Sequence, residues 1–254
     1  MIDKKVIFLP TVQNTGTWFM IETLLKHPDV KEFLEVRFFT DKKIGFPFPR
    51  NLKQSFSKNA DTCVLQTHVH NLSGHNPAAD YFFGALLCAL PTIIPIRDPL
   101  GSMITMRERG MKREKRVVYD RMSNRVVIWK NFIADIQRYR NFTGSVCLMP
   151  LDLLRKQPVE QRQQAMRKMC SVVGLSRDAQ FIKQASAWPM IHTLGTYDLK
   201  ARYEAGRQRA MIQALGPVWD ELCGIEKQTR PFFESLGYKN LMWWKDYKPM
   251  ENAS

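Results

Sequence analysis

Thr15-Gly16-Thr17-Trp18 stands between a short apolar run and a helical pattern, within the stretch VIFLPTVQNTGTWFMIETLL at residues 6–25. A strand that feeds a turn and then a helix N-terminus makes an anion site. The first N–H groups of the helix have no carbonyl one turn back, and the helix dipole places positive potential at the same end. The two threonines add hydroxyls, and Gly16 lets the backbone curl round an oxyanion. Trp18 offers a flat apolar face to a base. A triphosphate loop, G-x-x-x-x-G-K-[ST], would carry lysine where Thr17 stands, so binding of β- and γ-phosphates is poorly supported. Taken alone, these residues also suit a turn with a capping threonine.

Two further segments could do chemistry beside it. In PTIIPIRDPLGSMITMRER, residues 91–109, Arg97 closes a strand and Asp98-Pro99 opens a helix, with proline where its ring is tolerated. Ser102 and Thr105 lie within the next two turns, and an arginine with a nearby hydroxyl clamps a phosphate. An arginine at a strand end equally suits a surface ion pair. In TCVLQTHVHNLSGH, residues 62–75, His68 falls at the C-terminal end of a strand, the edge where open α/β sheets bind ligands. Histidine there is a candidate general base. A structural histidine fits the position too, and His68, His70 and His75 would allow a metal site. No acidic cluster accompanies them, so no metal is expected.

The elements that must position these residues alternate. Strands are expected at Lys5–Leu9, weakly at Val36–Thr40, and at Thr62–Val69, Pro91–Arg97 and Ser145–Met149. Helices are expected at Thr17–Lys26, Ala78–Ala89, Leu100–Arg109, Tyr119–Arg140 and Pro158–Val173. Short apolar strands between helices predict an α/β fold, a central parallel β-sheet flanked by helices. From Gln180 the chain reads as helical with irregular joints. The expectation is a single domain over 1–254, with a core at about 5–175 and a helical C-terminal extension at about 180–254. Phe38–Ala60 mixes aromatics, prolines and lysines without a period, as a binding loop, a lid or an ordinary insertion would.

Composition narrows the partners without choosing among them. The net charge of +14 attracts polyanions: nucleic acid, acidic membrane surfaces, acidic glycans or a multiply phosphorylated nucleotide. The densest basic run is RERGMKREKR at 107–116, which also suits a solvated face. No apolar run reaches the roughly 18 residues a membrane span needs. The first residues show no signal-peptide pattern, so a soluble, cytoplasmic protein is expected. Five cysteines, at 63, 88, 147, 170 and 223, include no C-x-x-C pair and read as free buried thiols.

The three segments, in this order, resemble the sulfotransferases that use 3′-phosphoadenosine 5′-phosphosulfate (PAPS). QNTGTW is similar to that family's 5′-phosphosulfate loop, K-[ST]-G-T-T-W. IRDPLGSMIT is similar to its 3′-phosphate motif, R-[ND]-P-x(5)-[ST], with Thr105 at the hydroxyl position and Ser102 nearby. LQTHVH resembles the K-T-H strand, and residues 146–175 resemble the later strand and helix, which carry a Y-E-D-L type sequence. The resemblance implies a P-loop-like sulfotransferase architecture with PAPS as donor and adenosine 3′,5′-bisphosphate as product. It implies a small-molecule or glycan hydroxyl acceptor, with no specific nucleic acid and no metal. It places Gln13, Asn14, Thr15, Gly16, Thr17 and Trp18 round the 5′-phosphosulfate, Arg97 with Ser102 or Thr105 on the 3′-phosphate, and His68 as the base.

Three departures stand out. The loop lysine is replaced by Gln13 or Asn14, depending on whether tryptophans or glycines are matched. The K-T-H lysine is Gln66. For the C-terminal cofactor loop the nearest candidate is LGTYDLKAR, with Gly195 and Lys200. The other functions compatible with these residues are a P-loop-type nucleotide kinase or nucleotidase, a basic nucleic-acid-binding protein, and a sulfotransferase relative without activity.

Overall fold

The computed structural model describes residues 5–12, 15–35, 38–40, 47–49, 62–68, 84–97, 119–139, 145–187 and 216–238. Strand β1 (Lys5–Thr11) leads through the turn into helix α1 (Thr17–Leu24) and then β2 (Val30–Glu35). Two short strands, β3 (Phe38–Thr40) and β4 (Pro47–Pro49), pair antiparallel in a small hairpin. Strand β5 (Thr62–His68) follows, then a helical stretch at 84–89, then β6 (Thr92–Ile96). Helix α2 (Tyr119–Tyr139) precedes β7 (Val146–Pro150), which runs directly into α3 (Leu151–Lys156). Helices α4 (Val159–Val173), α5 (Ala179–Ala187) and α6 (Gly216–Ser235) complete the described elements.

Five strands form one parallel sheet in the order β2-β5-β1-β6-β7. Burial along the strands follows from this order. β6 is buried at every position, and β1 is buried from Ile7 onward, because neighbours flank both and helices cover both faces. The edge strand β7 alternates between buried and partly exposed residues, and the edge strand β2 is buried only at Val30 and Leu34. That edge position explains a difference from the sequence reading. VKEFLE carries charges at Lys31, Glu32 and Glu35, so no apolar run marks it as a strand. The weak strand expected at Val36–Thr40 is represented among the described residues only by β3, which belongs to the hairpin and not to the main sheet.

Each face of the sheet has its own core. Ile7, Leu9, Val64, Ile93, Cys147 and Met149 pack with Met20, Ile21 and Leu24 of α1, with Met166, Met169 and Val173 of α4, and with Phe181 and Ile182 of α5. Phe8, Ile94 and Ile96, also fully buried, alternate with these along their strands and so face the other way. On that side α2 and α6 lie together, with Trp129 stacked on Phe233 at 5.6 Å. The hydroxyl of Tyr238, just past α6, donates to the carbonyl of Ile96 at 3.5 Å and ties this helix pair to the sheet.

A buried histidine locks the opposite end. The Asp29 N–H donates to His27 Nδ1 at 3.1 Å, so the proton sits on Nε2, which donates to the Ser176 carbonyl at 2.9 Å. Ser176 N–H in turn donates to the Asp29 carboxylate at 2.9 Å, and this bond is the main reason the Asp29 pKa lies below the ordinary carboxylate value. The bonds pin the α1–β2 corner to the α4–α5 corner. Cys63, Cys147 and Cys170 are free and buried, whereas the free Cys88 is exposed. Burial pushes the Cys147 and Cys170 thiols up to about 11, which makes them poor nucleophiles at neutral pH.

Candidate functional site

The strand order has a switch point between β1 and β6. From β1 the chain crosses toward β2, whereas from β6 it crosses toward β7, although β1 and β6 are neighbours. Ligands of open α/β sheets bind at such a switch point, outside the carboxyl ends of the strands. The turn carrying Thr15, Gly16 and Thr17 follows β1, and Arg97 is the first residue after β6. The register that sets Phe8 opposite Thr92 brings both to the same end of the sheet.

The turn is held by its own hydrogen bonds. Thr15 is fully buried and donates both its N–H, at 3.3 Å, and its hydroxyl, at 2.7 Å, to the Val12 carbonyl. Thr15 thus directs its donors inward and shapes the bend. Gly16 is the N-cap at φ 100°, in the left-handed region, with no side-chain cap. The first intrahelical bond runs from Met20 N–H to Gly16 carbonyl at 3.0 Å, so the Thr17 and Trp18 N–H groups precede the helical ladder. No acidic side chain stands in the first turn to offset the dipole. The Thr17 hydroxyl is buried and has no hydrogen-bond partner among the described residues. Trp18 is 58% exposed and tilts against Phe33 at 6.5 Å, leaving an aromatic surface beside the turn.

Gly16 suits this position because the positive φ disfavours any side chain, and a Cβ there would also press on Leu151 Cδ1 at the start of α3. Gly16→Ala is therefore expected to destabilise the fold by about 2–4 kcal/mol, combining the left-handed penalty with overpacking. Urea unfolding checks this, and a loss below about 0.5 kcal/mol, the range of a neutral surface change, would contradict it.

Beside the turn, β5 pairs with β1 so that His68 stands opposite Thr11. Both strands end there, which puts the His68 backbone at the same end of the sheet as the turn. Its side chain lies outside the described residues. Gln66 is buried and donates through Nε2 to the Thr11 hydroxyl at 3.1 Å, which donates to the Thr67 carbonyl at 3.4 Å. Gln66 thus forms a neutral tether between β5 and β1. A charged amine at that depth would require a compensating anion.

Arg97 makes the ion pair that the sequence allowed as the alternative to a phosphate clamp, with a partner, Asp152, that the sequence did not identify. Its Nε lies 3.4 Å from Asp152 Oδ1, with the arginine side chain 12% exposed and the aspartate 34%. Asp152 sits in the first turn of α3, directly after β7, and β7 pairs with β6 so that Ile96 faces Pro150. The sequence carries a signal for it in an acidic residue just after a strand, within the stretch of residues 146–175; which strand it adjoins is a property of the sheet order.

Gln13, Asn14, Ser102, Thr105 and Lys200 lie outside the described residues, as do His70, His75 and the 107–116 run. Among the described residues no cluster of three or more His, Cys, Asp or Glu side chains could hold a metal ion. Among the same residues no helix is long and apolar enough to cross a membrane. No family model and no curated protein matches the chain. Solved structures with a similar fold include a sulfotransferase from Alicyclobacillus acidocaldarius, at 16% identity and TM-score 0.49, covering 84% of this chain and 95% of that one. Mouse sulfotransferase SULT7A1, solved as a complex with PAP, aligns at 13% identity and TM-score 0.47, covering 74% of this chain and 64% of that one.

Proposed function

We propose that this chain is a PAPS-dependent sulfotransferase that moves the sulfuryl group to a hydroxyl acceptor, a small molecule or a glycan. The observation that carries the reading is the pairing of two corners at one switch point. A glycine turn with a buried hydroxyl unpartnered among the described residues opens α1, and an arginine directly follows the adjoining strand. The order of the three motifs along the chain adds the resemblance to the donor-binding segments of that family.

When bound, PAPS supplies an electrophilic sulfur and a leaving bisphosphate. The N–H groups of Thr17 and Trp18, with the Thr17 hydroxyl, hold the 5′-phosphosulfate and meet the charge that develops as the sulfur–oxygen bond to phosphate breaks. One preorganised donor aimed at developing charge is worth roughly 3 kcal/mol, which offsets part of the missing loop lysine. Arg97, with Ser102 or Thr105, holds the 3′-phosphate. Trp18 packs near adenine. His68 takes the acceptor's proton as the acceptor oxygen bonds to sulfur. Gln13, Asn14 and Lys200 are the further candidates for contact with the donor. In a catalyst of this kind positioning and charge stabilisation carry most of the rate.

The test is thermal stabilisation by adenosine 3′,5′-bisphosphate against AMP, ADP and ATP. The bisphosphate is expected to raise Tm most. A larger, magnesium-dependent rise with ATP would favour a kinase. Affinity for nucleic acid that falls steeply with salt, without any response to the bisphosphate, would favour a nucleic-acid-binding protein. Stabilisation by the bisphosphate with no transfer to any phenol or glycan would mark an inactive relative.

Thr17 provides a second check. Its buried hydroxyl costs stability while it lacks a partner, by about 1 kcal/mol or more. Thr17→Val is expected to leave the Tm of the free protein unchanged or raised while shrinking the shift produced by the bisphosphate. A lower Tm with an undiminished shift would place the hydroxyl in the fold and not in the site.

A further inference from the structure

We infer that Asp152 is the positioning residue for Arg97, and that it sets how strongly the site prefers a nucleotide 3′,5′-bisphosphate over a monophosphate; the inference rests on the sulfotransferase reading of Arg97. The first two residues of α3 reach both corners at the switch point. Leu151 packs its Cδ1 against the turn, where a side chain on Gly16 would displace it. Asp152 holds the Arg97 guanidinium from the side, Nε to Oδ1 at 3.4 Å. Because β7 runs into α3 without a linker, these contacts are fixed relative to the sheet. A single rigid step therefore sets the spacing between the site for one phosphate and the site for the other.

A guanidinium is a planar fork with five donors, and one carboxylate engages at most two of them in a bidentate pair. A carboxylate paired with the Nε edge biases the rotation of that plane and removes part of the side-chain entropy that a flexible arginine would lose on gripping a phosphate. The opposing effect is repulsion between the carboxylate and the incoming phosphate. Asp152 is about one-third exposed, so water screens that repulsion, whereas the loss of orientation is not screened. Orientation is therefore the larger effect.

Calorimetry on the full chain tests this with adenosine 3′,5′-bisphosphate and AMP. Asp152→Asn is expected to weaken the bisphosphate about tenfold, the lower end of what outer-shell partners of metal ligands contribute, and to leave AMP within about twofold. Asp152→Glu is expected to recover most of the loss. In an Arg97→Ala background the Asn substitution is expected to add nothing. Unchanged or tighter bisphosphate binding in Asp152→Asn, or an additive loss in the double variant, overturns the inference. A bisphosphate-to-AMP ratio that responds to Arg97→Ala but not to Asp152→Asn overturns this inference alone. A ratio untouched by Arg97→Ala removes the 3′-phosphate assignment and the inference with it. A second measurement uses the unmodified protein: the Arg97 Nε–H resonance is expected to be slow to exchange with and without bisphosphate. Its loss on binding would make Asp152 a displaced placeholder and overturn the proposal.

Discussion

Replacing His68 by alanine is expected to lower turnover by roughly 100-fold or more, the contribution of a positioned general base. Affinity for adenosine 3′,5′-bisphosphate should stay within about twofold, because the base acts on the acceptor and not on the nucleotide. β5 runs parallel to β1 without a slip from Lys5 opposite Thr62 to Thr11 opposite His68. The last residue of β5 is therefore carried to the rim beside the turn that opens α1. Gln66, two residues earlier, is bonded to Thr11 and holds the two strand ends together. Turnover with PAPS and a panel of phenols and glycans provides the readout. Near-normal turnover in His68→Ala would remove the residue from the mechanism and leave a purely electrostatic catalyst.

Arg97→Ala is expected to weaken adenosine 3′,5′-bisphosphate by roughly 10- to 100-fold while AMP changes by less than about threefold, since a charge-assisted bond contributes about 1.5–3 kcal/mol. The two ligands share the base, the ribose and the 5′-phosphate, so their difference isolates the 3′-phosphate. The guanidinium is largely buried and the Asp152 carboxylate about one-third exposed, so the variant leaves an aspartate that water can still solvate. A modest fall in Tm is expected from the lost pair, and a large loss of bisphosphate affinity at similar Tm would separate binding from stability. Equal losses for both ligands would show Arg97 acting on the fold or on the common part of the nucleotide. The prediction is also specific about salt: raising ionic strength should narrow the gap between the parent protein and the variant.

Much of the architecture was legible because its signals are local. VIFLP, CVLQT and TIIPI are apolar runs short enough for strands and too continuous for amphipathic helices, and each proved to be an inner strand of the sheet. The 3.6-residue period of Tyr119–Tyr139 and Val159–Val173 marked two helices to within a residue or two at each end. What escaped was the structure at the edges. β2 carries charges at Lys31, Glu32 and Glu35, and α3 is a six-residue helix with no linker after β7, so neither produces a pattern long enough to read. The hairpin of β3 and β4 rests on three residue pairs, two of which involve prolines, inside a segment with no period.

The chain order by itself determined that a glycine turn would open α1, that an arginine would end one strand and a histidine another, and that the sheet would be parallel. Those follow from residue type and from periods spanning a few neighbours. Only the tertiary structure decided that β6 lies beside β1, so that turn and arginine follow neighbouring strands at the same end of the sheet, and that β7 lies beside β6, so that Asp152 reaches Arg97. It also decided that Thr15 donates into its own turn, whereas the Thr17 hydroxyl has no partner among the described residues. Strand order is settled by which helices fill which face, a sum over dozens of distant apolar contacts. No local spacing encodes that sum, and so the ion pair and the unpartnered hydroxyl emerge only once the layers are packed.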